Sequence, residues 1–171
     1  MSLNFTPQTP REEVFDQAEA FIRKHDFIIS DVDDMRPWGG FFVIGESEAS
    51  RFIEAFFPHL TMSDFKAFTK LSPKILLVEP DKRLSWQYHH RRAEIWKVIG
   101  GEAGVIVSPD DQQRDVQKLT VGDIVELKQG ERHRLVGLEN WGIVAEIWKH
   151  TDPNYPSDEN DIVRVEDDFG R

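Results

Sequence analysis

The sequence predicts a mostly β protein, a sandwich or barrel preceded by helices. Three observations carry this. After Pro73 the chain breaks into eight short runs rich in β-branched and aromatic residues. Gly, Pro, Asp or Asn separates the runs, which is turn chemistry. Apolar residues at helical spacing are confined to the part before Pro73. Short strands at this spacing suit a sandwich or barrel and not a βαβ fold.

Residues 9–25 predict a helix. Thr9 is placed to cap it, Pro10 suits the first helical position, and Glu12 would complete a capping box. Val14, Phe15, Ala18, Phe21 and Ile22 then recur at helical spacing. A second helix is expected over 47–57, where Ala49, Phe52, Ile53, Phe56 and Phe57 form an apolar stripe and Pro58 stops it. Both stripes read as core packing. The strands follow as "KILLVEP", "RLSWQYH", "EIWKVIGG", "AGVIVSP", "VQKLTV", "DIVELKQG", "HRLVGL" and "GIVAEIWKH". The polar, acidic end "TDPNYPSDENDIVRVEDDFGR" reads as a loop with a short ordered close. The domain organisation expected is an N-terminal helical extension with first strands over 1–72 and a barrel with its tail over 73–171.

The chain has 31 acidic and 21 basic residues and a formal charge of -10. Nucleic acid and anionic membranes both want a basic surface, so neither is an expected partner. A small anion is not excluded, because a local basic pocket can sit in an acidic protein. There is no cysteine, which removes disulfides, thiolate ligands and Cys nucleophiles. No apolar run reaches membrane-spanning length, and "MSLNFTPQTPREE" lacks the apolar core of a signal peptide. The expected location is the cytoplasm. No phosphate loop of the P-loop or dinucleotide type is present.

The stretch "LSWQYHHRRAEIW" at 84–96 carries the chemistry. On a strand, Gln87 and His89 share one face and His90 takes the other. A one-residue slip would reverse that choice. Glu94 comes five residues after His89, a step that needs a turn or bulge. His133, in a strand started by the turn at Gly130, is the best candidate for a fourth ligand. One amide oxygen, two imidazoles and one carboxylate suit zinc or another divalent first-row ion. Spacing alone leaves two readings open, a metal site and a basic strand edge.

These residues resemble a known family. Residues 73–150 look like a cupin, a double-stranded β-helix or jelly-roll barrel. "QYHHRRAEIWKVIGG" is similar to the first cupin motif with Gln87 in place of its first His. "GDIVELKQGERH" is similar to the second, with Lys128 where Pro is usual. The nearer resemblance is to the type II mannose-6-phosphate isomerase domain, often the C-terminal half of a bifunctional enzyme with a mannose-1-phosphate guanylyltransferase. It rests on "RPWGGF" at 36–41, "LSWQYHHRRAEIW" at 84–96 and "NDIVRVEDDFGR" at 160–171, three separated motifs in the family's order. Arg91 stands where the family has a third His, and Phe169 where it has Tyr. The first substitution is expected to alter the charge of the pocket. Residues 46–70 and the N-terminal helix lie outside the pattern.

The resemblance implies a metal-dependent isomerase interconverting mannose 6-phosphate and fructose 6-phosphate. It implies Gln87, His89, Glu94 and His133 as metal ligands, with zinc first and Mn, Co, Fe or Ni as alternatives. Lys74 and Arg164 would contact the sugar oxygens, the enediolate or the phosphate. Without the resemblance both read as ordinary surface charges. Glu146 is the candidate proton-transfer base, through its alternation with Val144 and Trp148; read from the residues alone it is a solvent-facing strand carboxylate. Trp38, Trp86 and Trp96 read first as core or rim packing and second as pocket lining. Barrels of this kind pair edge strands, which predicts a homodimer. No guanylyltransferase activity is expected. Two other functions stand beside the first: isomerisation of another sugar or sugar phosphate, and a non-catalytic cupin that binds a metal or sugar.

Overall fold

The computed structural model describes residues 3–65 and 70–171, so 66–69, within the 46–70 segment, lie outside it. Helix α1 spans Arg11–Lys24 and α2 spans Ala49–Phe56, the latter extended at its front by a 3-10 turn over Glu46–Glu48. The strands are β1 (Ile29–Arg36), β2 (Gly39–Ile44), β3 (Lys74–Val78), β4 (Trp86–Tyr88) and β5 (Arg92–Ser108). They continue as β6 (Gln117–Thr120), β7 (Ile124–Leu127), β8 (Arg132–Val136), β9 (Gly142–His150) and β10 (Val163–Glu166). The capping box expected at Thr9 and Glu12 does not form. Pro10 is extended at ψ 149°, and the Thr9 hydroxyl accepts from Thr6 N at 2.8 Å instead. Glu12 and Glu13 still place negative charge at the positive end of α1.

All strand pairs are antiparallel, in the order β1-β2-β3-β9-β5-β8-β4-β10, with β6 and β7 also paired to β5. The runs "EIWKVIGG" and "AGVIVSP" are not two strands. They are the two legs of the 17-residue β5, whose first leg pairs with β9 and β7 and whose second pairs with β8 and β6. The glycines that look like a turn instead bend a continuous strand. The register against β9 shifts between Val98 and Gly100, and Gly101 adopts φ +63°. A Cβ at Gly101 would run into the Trp141 carbonyl oxygen.

Both faces of the central strands are covered. In β3 and β9, Ile75, Leu77, Ile143, Ala145 and Ile147 pack under α1 and α2, against Val14, Phe15, Phe52 and Phe56. The alternate positions, Leu76, Val78 and Val144, meet Trp96, Val98, Val105 and Leu135 inside the barrel. Strand parity therefore sends Lys74 and Glu146, which are paired in register, into the barrel with Leu76 and Val144. No helix among the described residues is long and apolar enough to cross a membrane.

The bend predicts a contrast between two glycines. Gly130 also has positive φ, at +75°, but a Cβ there meets nothing within 4 Å. Gly130→Ala should cost about 1 kcal/mol from backbone strain alone. Gly101→Ala should cost about 3 kcal/mol or more, since the backbone must also retreat from Trp141. Urea midpoints at constant m-value read this directly, and equal losses would mean that the bend yields freely.

Candidate metal centre

One end of the barrel gathers polar side chains from five strands and the tail. Gln87 on β4 pairs with His133 on β8 and, on its other side, with Arg164 on β10. Glu94 projects from β5 and Glu146 from β9, both buried. The step from His89 to Glu94 is made by a turn at 89–91. The Asp161 carboxylate holds this turn, accepting His90 N at 2.9 Å and Arg91 N at 3.0 Å. His89 is consequently 2% exposed, while His90 points to solvent.

The hydrogen bonds fix which ring nitrogens face inward. His89 Nδ1 lies 2.7 Å from the Asp161 carbonyl oxygen and His133 Nδ1 lies 3.1 Å from that of Glu131. A carbonyl only accepts, so each Nδ1 carries the proton and each Nε2 turns a lone pair inward. Glu94 Oε1 lies 2.5 Å from His89 Nε2 and 3.3 Å from His133 Nε2. Glu94 Oε1 and His133 Nε2 are buried without a hydrogen-bond partner among the described residues. A proton between His89 and Glu94 would satisfy that pair but leave His133 Nε2 unmet. A cation at the meeting point satisfies all three. His89, Glu94 and His133 could thus hold a metal ion, their donor atoms lying within 4.8 Å of one another. Two imidazoles and a carboxylate fit a divalent first-row ion, and backbone carbonyls on the outer nitrogens orient the rings as such ligands require. Burial pushes the Glu94 carboxyl upward, yet the neighbouring His89 ring, the Arg92 guanidinium and the His133 ring outweigh it. The group is held well below the usual carboxylate range. Gln87 sits beside the trio, its Nε2 3.5 Å from His89 Nε2 and its Oε1 accepting from Ser85 Oγ at 2.5 Å.

A second carboxylate lies diagonal to Glu94 on the neighbouring strand, where Trp148 pairs with Glu94 and Glu146 with Trp96. Glu146 is not solvent-facing, because its parity on β9 is that of the interior residues Val144 and Trp148. Two indoles donate to it, Trp96 Nε1 at 2.9 Å and Trp148 Nε1 at 3.3 Å. Burial first, and the Glu94 charge second, raise its carboxyl well above the usual range against the opposing pull of Lys74 and Arg92. Lys74 is also no surface charge: it is 8% exposed, with Nζ 3.1 Å from Glu159 Oε1 and 4.8 Å from the Trp148 ring centre. Arg164 is exposed and lines the mouth of the same cavity, as does Trp38. Trp86 is core, with its indole donating to Asp111 O at 2.8 Å.

The structure corrects the expectation for Arg91. Its guanidinium reaches the tail, at Pro156 O (2.8 Å) and Asp158 (3.4 Å), and is not among the residues lining the cavity. Arg92 takes the place that sequence reading gave to others. It lines the cavity, stacks 3.8 Å from the Trp148 ring centre, and places Nε 3.8 Å from Glu94 Oε1. Ser157 Oγ and Asp158 O hold its Nη1 at 2.8 and 3.0 Å. The signal was present, since Arg92 and Glu94 share parity on one strand. Asp161 was equally visible inside "NDIVR", but its action through the backbone of the 89–91 turn leaves no trace in spacing.

Metal loading is expected to stabilise the fold. An ion at 100 times its Kd should add about 2.7 kcal/mol, seen as a raised thermal midpoint that a chelator reverses. Glu94→Ala and His133→Ala should abolish the rise. A midpoint indifferent to Zn, Mn, Co, Fe and Ni would rule out an ion at this cluster.

Residues 45–167 match the family model "Mannose-6-phosphate isomerase C-terminal". The chain is 32% identical over 128 residues to the xanthan biosynthesis protein XanB of Xanthomonas campestris, covering 74% of this chain and 26% of that protein. It is 32% identical over 127 residues to the alginate biosynthesis protein AlgA of Pseudomonas aeruginosa, with 74% and 25% covered. The chain thus spans about a quarter of the length of these relatives. Among solved structures, procruciferin, an 11S globulin of Brassica napus, superposes with a TM-score of 0.51 at 15% identity, covering 71% of this chain and 29% of that one, which bears on the fold alone. The fold is a mostly β, cupin-type double-stranded β-helix with helices at its N-terminus. By the match over 45–167 and by its kinship with XanB and AlgA, the chain belongs to the mannose-6-phosphate isomerase C-terminal family.

Proposed function

We propose that this chain is a metal-dependent aldose–ketose isomerase that interconverts mannose 6-phosphate and fructose 6-phosphate. One observation carries the reading. A buried carboxylate of raised proton affinity, Glu146, lines a cavity together with Glu94, whose Oε1 and the neighbouring His133 Nε2 are buried without a hydrogen-bond partner among the described residues. A divalent ion, zinc in this proposal, supplies Lewis-acid polarisation of the substrate oxygens when bound.

Gln87 is the proposed fourth ligand. Its amide lies beside His89, and a half-turn of that amide would exchange its oxygen for its nitrogen there. Glu146 is the proposed base. It accepts the proton from C2 of the aldose and delivers it to C1 of the resulting enediolate, while the C2 hydroxyl proton passes to O1, so that the aldehyde becomes a hydroxyl and C2 a ketone. Its two indole bonds fix the carboxylate without neutralising it, and its raised proton affinity suits a group that both takes and gives a proton. Arg92 directs positive charge into the cavity, where an enediolate would develop negative charge, and Lys74 is placed to meet an oxygen of the phosphate. Arg164, at the mouth, suits the phosphate by its forked donors. A homodimer is part of the proposal, supported by the unpaired outer edge of β1.

The test is turnover of mannose 6-phosphate by the metal-loaded protein, beside a panel of other sugar phosphates. Glu146→Gln should lower kcat by about 10²–10⁴. It should leave metal content near that of the parent chain. No turnover of mannose 6-phosphate with any of Zn, Mn, Co, Fe or Ni sinks the assignment. Full activity in Glu146→Gln sinks the choice of base.

A further inference from the structure

One stretch of the tail, residues 157–161, touches three groups of the cavity. Ser157 and Asp158 hold Arg92, Asp161 holds His89, and Glu159 holds Lys74. These contacts differ in burial. Ser157 and Asp161 are 3% and 5% exposed, and Ser157 Oγ donates to Asp161 Oδ2 at 2.6 Å, so both ends of the stretch are pinned. Glu159 lies between them with its side chain 60% exposed. It reaches across the mouth to a lysine that is only 9% exposed at its side chain.

Lys74 pairs in register with Glu146 and also faces two aromatic rings. Its Nζ lies 4.8 Å from the Trp148 ring centre and 5.7 Å from that of Phe41. Glu159 Oε1 is the one carboxylate oxygen within ion-pair distance of it among the described residues. A buried ammonium needs a counter-charge. In the free protein the tail provides that charge from the solvent side, through a carboxylate that can rotate away into water without breaking either buried anchor.

We propose that Glu159 is a displaceable internal anion. It holds the place on Lys74 that the anionic group of a ligand takes, and so sets how tightly the cavity binds phosphorylated ligands. The inference deepens the isomerase reading and rests on it for the phosphorylated substrate. Displacement balances charge: one carboxylate leaves Lys74 for water and one phosphate monoester oxygen replaces it. A neutral sugar brings no anion to this exchange, so the Lys74–Glu159 pair stays closed against it.

The experiment uses the metal-loaded full chain and inorganic phosphate as the probe, by titration calorimetry at low salt. Glu159→Gln should bind phosphate about two- to fivefold more tightly, the range expected for removing a partly exposed ion-pair competitor. Glu13→Gln, on an exposed position of α1, makes the same change in net charge far from the cavity and should leave binding unchanged. Unchanged or weaker binding in Glu159→Gln overturns the proposal, as does equal tightening in Glu13→Gln or no phosphate binding by any of the three proteins. Isomerase turnover is measured on the same samples. Tighter phosphate binding without turnover keeps the latch and rejects the isomerase, whereas turnover with unchanged phosphate binding does the reverse.

Discussion

Everything at the open end of the barrel depends on β5 folding back on itself. A 17-residue strand left straight would carry its two ends far apart. The bend at Gly100 and Gly101 lets the second leg pair with β8 and β6 while the first pairs with β9 and β7. Glu94 sits near the start of β5, and His133 pairs with Val107 near its end, yet Glu94 Oε1 and His133 Nε2 are 3.3 Å apart. The two glycines are remote from this cluster and still govern it. Gly101 adopts a positive φ and a close approach to Trp141 that a side chain would forbid.

The layer of helices supplies the second constraint. Because α1 and α2 cover one face of β3 and β9, the apolar residues of those strands must divide between two cores. That division fixes the register, since a one-residue slip would drive Lys74 and Glu146 under the helices. Fixed parity makes the polar end possible and also makes it costly. Each buried charge there is met locally: Glu146 by two indole N–H groups, Arg92 by the Trp148 face and two tail oxygens, and Lys74 by Glu159. Pairing stops at Glu94 Oε1, His133 Nε2 and Arg92 Nε, which are buried with no hydrogen-bond partner among the described residues.

Much of this was legible in the sequence because it depends on local parity. The helical stripes, the strand runs and the opposite directions of His89 and His90 all follow from periods of 3.6 and 2. What was not legible depends on contacts distant in sequence. Gly100-Gly101 has the composition of a turn, and only its pairing with β9 on one leg and β8 on the other makes it a bend within one strand. Arg91 and Arg92 are chemically identical neighbours. One faces the tail and the other the cavity because the turn at 89–91 ends between them, held by Asp161 some 70 residues onward. Thr9 loses its capping role to a bond with Thr6, an equally local alternative that propensity does not rank.

The charge of the whole chain misleads about this cavity. A formal charge of -10 argues against broad anionic partners, yet Arg36, Lys74, Arg92, Arg164 and Arg171 line the cavity against Glu94, Glu146 and Glu159. Remote surface carboxylates do little to offset the local excess, because salt screens exposed charges beyond about 8 Å at physiological strength. Inside the cavity the apolar walls of Trp38, Phe41 and Leu76 screen far less. An acidic protein can therefore present a cationic interior. The acidic exterior repels polyanions too large to enter, while a small anion that reaches the mouth meets positive charge at short range.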